Sequence, residues 1–235
     1  MIKKLFSFLC VGLCTVSSLT ACASNTKQEN KETTDQTTKE VNMDGKSSTK
    51  SLCPDKDLQS AKKLVVYFSH TGENYNVGYI EEGNTAIIAD MIAEATGADK
   101  FEIVPVKPYP KHSYEECIEI AQQEKRANAR PEIKGDIAIE DYDVVFLGYP
   151  NWWGEVPMCV YTFIEKHDWN GKTVIPFITH EGSGMGGTDS KIAKATAGSN
   201  TLVGKGLAVQ GKVAQENRTS AKKSVDNWLT GLGYK

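Results

Sequence analysis

The first group of residues that suggests ligand chemistry is a hydroxyl-rich turn, Ser69-His70-Thr71-Gly72, followed by Asn84 and Thr85 after an insertion, residues 73–83. Hydroxyls, an amide and the free N–H groups at the start of a helix are donors that suit phosphate or another anion. The turn contains no Lys or Arg, so it is neither a P-loop nor a Gly-x-Gly-x-x-Gly dinucleotide turn. Simple capping of the helix by Asn84 or Thr85 is the alternative.

A second turn, Pro150-Asn151-Trp152-Trp153-Gly154, follows an uninterrupted apolar run. Two adjacent indoles offer flat aromatic surfaces, and the glycine lets the backbone approach a ring closely. The turn therefore suits a planar aromatic ligand, with packing beneath the loop as the alternative.

A third turn contains Thr179, His180, Glu181, Gly182 and Ser183. Its glycines allow close backbone approach to the same ring. His180 and Glu181 are adjacent at a strand end and tend to point to opposite faces, which argues against an acid–base pair. The sequence shows no Ser/His/Asp or Cys/His arrangement and no metal-binding motif.

The elements that must position these turns alternate between strands and helices. Apolar, β-branched runs predict strands at 63–69, 100–106, 143–150, 172–180 and about 200–210. Helical spacing predicts helices at 85–97, 113–131, 157–167, 187–196 and 217–233. This pattern predicts an α/β fold, a doubly wound five-stranded parallel sheet of order 2-1-3-4-5 with helices on both faces. All three turns then fall at the carboxyl edge, where such sheets bind ligands.

These residues resemble the flavodoxin-like FMN-binding proteins, particularly a branch of bacterial members, from about residue 63 to 232. The resemblance rests on the first turn, Ser-x-x-Gly…Gly-Asn-Thr, and on the segments GYPNWWGEVPM, THEGSGMGGT and ANARPEI. It implies a flavodoxin-like fold with FMN as cofactor. Residues implied to bind the FMN phosphate are Ser69, His70, Thr71, Asn84 and Thr85. Those implied to border the isoalloxazine are Pro150, Asn151, Trp152, Trp153 and Gly154, with Thr179, Glu181, Gly182 and Ser183 closing the far side.

The insertion departs from the short form of the first turn and resembles a lengthened version found in some members of this branch. Tyr75 and Tyr79 either fold over the flavin or ribityl chain, or pack against the neighbouring surface of the domain. The sequence leaves both alternatives open.

The resemblance implies a redox function, with FMN supplying the chemistry. The protein is then either an electron carrier between partner proteins or an NAD(P)H-dependent reductase of a small-molecule electron acceptor such as a quinone. A non-redox ligand-binding or surface interaction module on the same fold is the alternative. A response-regulator receiver is excluded, because an acidic cluster after the first strand and an Asp after the third are missing. The net charge of −3 and the lack of a basic stripe argue against nucleic acid as a partner.

The N-terminal segment predicts export. Residues 1–21 combine Lys3 and Lys4 with a short apolar run, as in a signal peptide, and the end of the segment, Leu19-Thr20-Ala21-Cys22, resembles the lipobox of bacterial lipoproteins. We expect the lipidated Cys22 to anchor the protein at the extracytoplasmic face of the bacterial cell membrane. We expect this lipid to be the only membrane attachment of the protein. Residues 22–60 are polar and predict a flexible tether, and 61–235 form the domain.

Three cysteines remain beyond Cys22, an odd number without metal-ligand spacing. Cys117 and Cys159 lie in apolar-patterned helices and are expected to be buried thiols. A disulfide from Cys53 to either is possible outside the cytoplasm.

Overall fold

A computed structural model describes residues 60–234. The predicted signal peptide, Cys22, the tether and Cys53 lie outside the described residues. Within them the strands are β1 (Lys63–Tyr67), β2 (Gly72–Asn74), β3 (Gly78–Ile80), β4 (Asp99–Glu102), β5 (Val104–Pro105), β6 (Ile133–Lys134), β7 (Val144–Pro150), β8 (Thr173–His180), β9 (Asn200–Thr201) and β10 (Leu207–Gln210).

The helices of this region are α1 (Asn84–Thr96), α2 (Tyr114–Ala127), α3 (Met158–Ile164), α4 (Thr188–Ala195), α5 (Gly211–Glu216) and α6 (Arg218–Gly231), with one 3-10 turn at Ile139–Asp141. Five of these helices match the predicted positions to within a few residues, and α5 was not predicted. Ser113 caps the N-terminus of α2, and its Oγ accepts the Glu116 N–H at 3.2 Å. The C-cap is Asn128, which adopts a left-handed conformation with φ of 47°, so the helix ends before the predicted stop at Pro131. No helix among residues 60–234 is long and apolar enough to cross a membrane.

The central sheet is parallel, in the order β4-β1-β7-β8-β10, and β9 also pairs with β8. The first four predicted strands correspond to β1, β4, β7 and β8, and across the sheet they have the predicted order 2-1-3-4. The fifth position is shared by β9 and β10. The predicted second strand is shorter than expected. It leaves the sheet after Glu102, and β5 pairs antiparallel with β6 instead.

Both faces of the sheet are covered, as predicted. Alternate side chains of β1 enter opposite cores, with Val65 packed on the side of α1, α5 and α6, and Leu64 and Val66 on the side of α2, α3 and α4. Cys117 and Cys159 belong to the second core and are free, buried thiols, which confirms their predicted burial.

Candidate functional site

A cleft of about 240 Å³ lies at the carboxyl ends of β1, β7 and β8. Each of the three turns singled out from the sequence contributes to its lining. The predicted residues that line it are His70, Asn84, Pro150, Asn151, Trp152, Trp153, Thr179 and Glu181. The others do not line the cleft themselves: Ser69, Thr71, Thr85, Gly154 and Gly182 are adjacent in sequence to lining residues, and Ser183 is hydrogen-bonded to the lining residue Asn151.

Two further walls of the cleft lie outside the three turns: the insertion, whose place beside the ligand was one of two predicted alternatives, and α2, which was not predicted from the sequence. The insertion supplies one, through Glu73, Asn74 and Tyr75, and α2 supplies the other. The α2 wall consists of Tyr114, Cys117, Ile118 and Ala121. Their spacing marks an apolar helix face, but that signal does not distinguish a core contact from a cleft wall.

The first turn retains hydrogen-bond donors. Ser69 Oγ accepts the Ala86 N–H at 3.1 Å, and Asn84 Oδ1 accepts from Gln215 Nε2 at 2.8 Å. Both bonds use an oxygen as acceptor, so the Ser69 hydroxyl proton and the Asn84 NH₂ group remain able to donate. A Cβ at Gly83 would overlap Ser69 Oγ, so glycine permits this close approach of the turn to the start of α1.

Thr85 and Thr179 bond to each other beneath the cleft. Their hydroxyl oxygens are 2.7 Å apart, and the residues are only 1% and 2% exposed. The pair joins the start of α1 to the end of β8. Of the predicted phosphate ligands, Thr85 is therefore the least accessible, whereas Thr71 is partly exposed.

His70 is a neutral imidazole. Burial, with a further contribution from Lys111, lowers the pKa of His70 from 6.5 to about 4. Its Nε2 atom is buried and has no hydrogen-bond partner within residues 60–234. The ring packs edge-on against Trp152, with centroids 5.9 Å apart. His70 thus lines the cleft with an uncharged ring whose Nε2 atom is shielded from solvent.

The two tryptophans have different environments. Trp152 is partly buried and makes edge-to-face contacts with Phe68 and Tyr109, at centroid distances of 5.3 and 4.8 Å. Trp153 lines the same cleft but is 49% exposed. Trp152 therefore combines core packing with a place in the lining, and Trp153 is the accessible aromatic surface.

Asn151 organises the second turn. Its Oδ1 accepts the Gly154 N–H at 2.9 Å, and its Nδ2 donates to Ser183 Oγ at 2.8 Å. Its backbone N–H also donates to the Thr179 carbonyl at 2.8 Å. These bonds tie the second turn to the third and occupy the Gly154 N–H within the protein.

The third turn is fixed by backbone donors. Glu181 Oε1 accepts the Lys212 N–H at 2.9 Å. Burial raises the pKa of Glu181, and Lys212 and the Asn76 side chain oppose that shift. His180 Nδ1 accepts the Gly182 N–H at 2.9 Å, and burial lowers the pKa of His180. His180 thus bonds within its own loop.

The insertion forms an antiparallel hairpin, β2-β3, that packs against the segment before α2. The Glu73 N–H donates to the Lys111 carbonyl at 2.7 Å. Tyr75 stacks on Tyr114 and Tyr79 on His112, each with centroids 6.0 Å apart. Tyr79 thus packs against the neighbouring surface, while Tyr75 packs there and also lines the cleft.

Potential metal ligands do not gather at this site. Among the described residues, no group of three or more His, Cys, Asp or Glu side chains is arranged to hold a metal ion. The cleft is lined by hydroxyls, amides, imidazoles, aromatic rings and the carboxyl groups of Glu73 and Glu181.

An open parallel sheet with an aromatic-walled cleft at its switch point defines a class of ligand-binding α/β proteins. The flavodoxin family model matches residues 62–230, so this chain belongs to the flavodoxin family. This confirms the sequence-based prediction of a flavodoxin-like, FMN-binding family. No curated protein matches the chain.

Solved structures agree with the family. A putative flavoprotein from Bacteroides eggerthii is 31% identical, with 74% of this chain and 99% of that one covered and a TM-score of 0.58. One from Bacteroides uniformis is 29% identical, with 71% and 98% covered and a TM-score of 0.54. A flavoprotein from Lactobacillus acidophilus, solved in complex with FMN, is 21% identical, covers 72% and 99%, and has a TM-score of 0.53. At that identity it supports the fold alone.

Proposed function

We propose that this protein binds FMN in the cleft and transfers electrons, as a carrier or as a flavin-dependent reductase. One observation carries the proposal. At the switch-point edge, one cleft is lined by both the half-exposed Trp153 and Asn84, whose NH₂ group is an unused donor, and the Ser69 hydroxyl beside the start of α1 is a second unused donor. A planar ring with a phosphate on a side chain matches both parts. FMN supplies the redox chemistry when bound, and the protein supplies binding and orientation.

Residues of the cleft and of the first turn beside it fit this cofactor. The Ser69 hydroxyl, the Asn84 amide and the partly exposed Thr71 would hold the phosphate at the N-terminus of α1, where the helix dipole favours an anion. His70 also lines the cleft, and its neutral ring brings no positive charge to the phosphate. The faces of Trp153 and Tyr75 would border the ring. We also propose the remaining predicted residues as contacts of the bound FMN: Thr85, Pro150, Asn151, Trp152, Gly154, Thr179, Glu181, Gly182 and Ser183.

The walls of the cleft bear on the choice between carrier and reductase. A carrier needs only an exposed flavin edge, whereas a reductase also needs a pocket over the ring. The hairpin and α2 wall the cleft beside Trp153, through Tyr75, Tyr114 and Ile118. This favours a small-molecule electron acceptor. An exported protein has little access to NAD(P)H, so we propose that a redox partner protein reduces it.

The proposed location rests on the N-terminal sequence. Cys22 follows a signal-like segment and ends the lipobox-like Leu-Thr-Ala-Cys. We propose that acyl chains on Cys22 anchor the protein at the extracytoplasmic face of the cell membrane, because burial of more than one chain is enough for stable attachment.

The visible spectrum of the purified full-length chain tests the proposal. We expect a bound-flavin spectrum as purified or after addition of FMN, which dithionite bleaches. Addition of NADH or NADPH, with and without a quinone, then distinguishes a nicotinamide-linked reductase from a partner-reduced protein. A chain that stays colourless with excess FMN contradicts the proposal and favours a non-redox ligand-binding module.

A further inference from the structure

Trp153 has a backbone conformation that tryptophan rarely adopts. Its φ is +60°, and that of the following Gly154 is +66°. Trp152 and Glu155 close the turn around them by exchanging two backbone hydrogen bonds of 3.1 Å each. Positive φ at both central residues is typical of a type I′ turn. Glycine adopts this conformation readily, but a residue with a large side chain is strained in it.

Two lysines from different helices hold the carbonyl groups of this turn. Lys125 of α2 donates from Nζ to the Trp153 carbonyl at 2.6 Å. Lys191 of α4 donates to the Gly154 carbonyl at 2.9 Å and forms an ion pair with Glu155 at 2.8 Å. The ammonium groups thus approach both carbonyls at the centre of the turn.

The N–H groups of the same peptides are also bonded. The Gly154 N–H donates to Asn151 Oδ1 at 2.9 Å, and the Glu155 N–H donates to the Trp152 carbonyl at 3.1 Å. The peptide groups that follow Trp153 and Gly154 are therefore fixed at both their oxygen and their nitrogen ends. Neither can rotate without breaking a charge-assisted hydrogen bond, which is stronger than a neutral one.

We propose that Lys125 and Lys191 are positioning residues that hold Trp153 in its strained conformation, so that the indole faces the cleft. This rests on the proposed function where the ligand is FMN, but the effect on the turn itself does not. Strained residues persist only where surrounding contacts over-determine them. Without the two ammonium groups, the turn relaxes and the indole leaves its position.

The strain is tested first without any ligand. Asparagine tolerates positive φ and alanine does not, so Trp153→Asn should unfold at a higher denaturant concentration than Trp153→Ala. The same pair of variants is then measured with Lys125→Met and Lys191→Met both present. We expect the advantage of asparagine to shrink or vanish, because the turn is no longer held. An equal advantage in both backgrounds overturns the proposal.

The consequence for the site is tested with FMN. Lys125→Met and Lys191→Met should each brighten the emission of bound flavin, because the indole leaves the ring. Each should also weaken FMN binding by roughly fivefold, because binding must then restore the strained backbone conformation of Trp153. Lys125→Arg and Lys191→Arg should retain wild-type behaviour, because they keep a cationic donor. In a Trp153→Ala background the methionine changes should have no further effect on emission.

Each helix offers a matched control. Arg126→Met removes the positive charge next to Lys125 on α2. The Arg126 side chain donates to Gln122 at 2.8 Å and not to the turn. Lys194→Met removes a charge on α4 that lines the same surface groove as Lys191. Both controls should leave flavin emission and affinity unchanged. Methionine variants at Lys125 and Lys191 that behave like these controls contradict the proposal. If the wild type binds no FMN, the proposed function fails, and the ligand-free comparison still decides whether the lysines hold the turn.

Discussion

The hydroxyl oxygens of Thr85 and Thr179 lie 2.7 Å apart, and both side chains are almost completely buried. Thr85 is in the first turn of α1, and Thr179 is next to the last residue of β8. Their bond therefore joins two of the three turns at the ligand edge. Because a buried hydroxyl without a partner is costly, the pair fixes the distance between the two turns.

Loss of one member of this pair should destabilise the protein. Thr85→Val leaves the Thr179 hydroxyl unpaired, which should lower the free energy of unfolding by about 1–3 kcal/mol. Thr85→Val with Thr179→Val should recover part of that loss, because no unpaired hydroxyl remains. Thr85→Ser keeps the bond and serves as control. Urea unfolding without FMN measures the effect, and strictly additive losses in the double variant would argue against the pairing.

Thr71 gives a clearer test of the phosphate turn, because it is partly exposed and lies outside the threonine pair. Thr71→Val removes one donor to a dianion that has no cationic partner in the turn. A charge-assisted bond contributes about 1.5–3 kcal/mol, so FMN affinity should fall about tenfold or more. Riboflavin, which lacks the phosphate, should bind almost as before, and Thr71→Ser should bind both normally. If Val weakens both ligands equally, the turn does not bind phosphate.

Most of the fold follows from local sequence patterns. The apolar run at 143–150 and the helical spacing at 85–97 are strong periodic signals, and the strand-order rule brings their turns to one edge. The division of the fifth strand into β9 and β10 was not predicted, nor was the departure of β5 from the sheet. Both depend on tertiary pairing, such as that between β5 and β6, which no local periodicity encodes.

The different roles of Trp152 and Trp153 could not be predicted from their adjacency. Both residues belong to one tight turn, and this turn requires a positive φ at Trp153 that tryptophan does not favour. The contacts that hold it come from Lys125 and Lys191, 28 and 37 residues away in sequence from their partners. Similarly, the spacing of Cys117 and Ala121 indicated an apolar helix face, but not that a cleft lies beside it.

His70 should make stability depend on pH below neutrality. Its pKa is about 4 in the folded protein and ordinarily 6.5, so the unfolded chain takes up this proton first as the pH falls. The stability that neutral His70 contributes is full above pH 6.5 and is lost between pH 6.5 and about 4. The loss on going from pH 7.5 to 5 should be smaller in His70→Gln than in the wild type. Equal losses, measured by urea unfolding without FMN, would contradict the assigned shift.

Cys22 should determine membrane attachment. Because Cys22 ends a lipobox-like sequence, Cys22→Ser should release the protein from the membrane fraction or leave an unprocessed precursor. Metabolic labelling with a fatty acid should mark the wild type and spare the variant. Cys53→Ser is the matched control and should remain labelled. Equal retention and labelling of the Cys22→Ser protein would rule out lipidation at this position.

The two tryptophans should respond differently to truncation. Trp153 is half exposed at the cleft, and aromatic stacking contributes about 0.5–1.5 kcal/mol beyond area burial. Trp153→Ala should therefore brighten bound-flavin emission and weaken FMN binding, with little change in unfolding free energy.

Trp152 packs edge-on against Phe68, Tyr109 and His70, so Trp152→Ala should lower the free energy of unfolding by about 3 kcal/mol, even without FMN. Trp152→Phe should recover much of that loss, because it keeps an aromatic ring in the cluster. Urea unfolding and FMN titration of the three variants separate the two roles. If Trp153→Ala leaves emission and affinity unchanged while Trp152→Ala alters both at conserved stability, the flavin lies against Trp152. The accessible indole would then have a role other than contact with the cofactor.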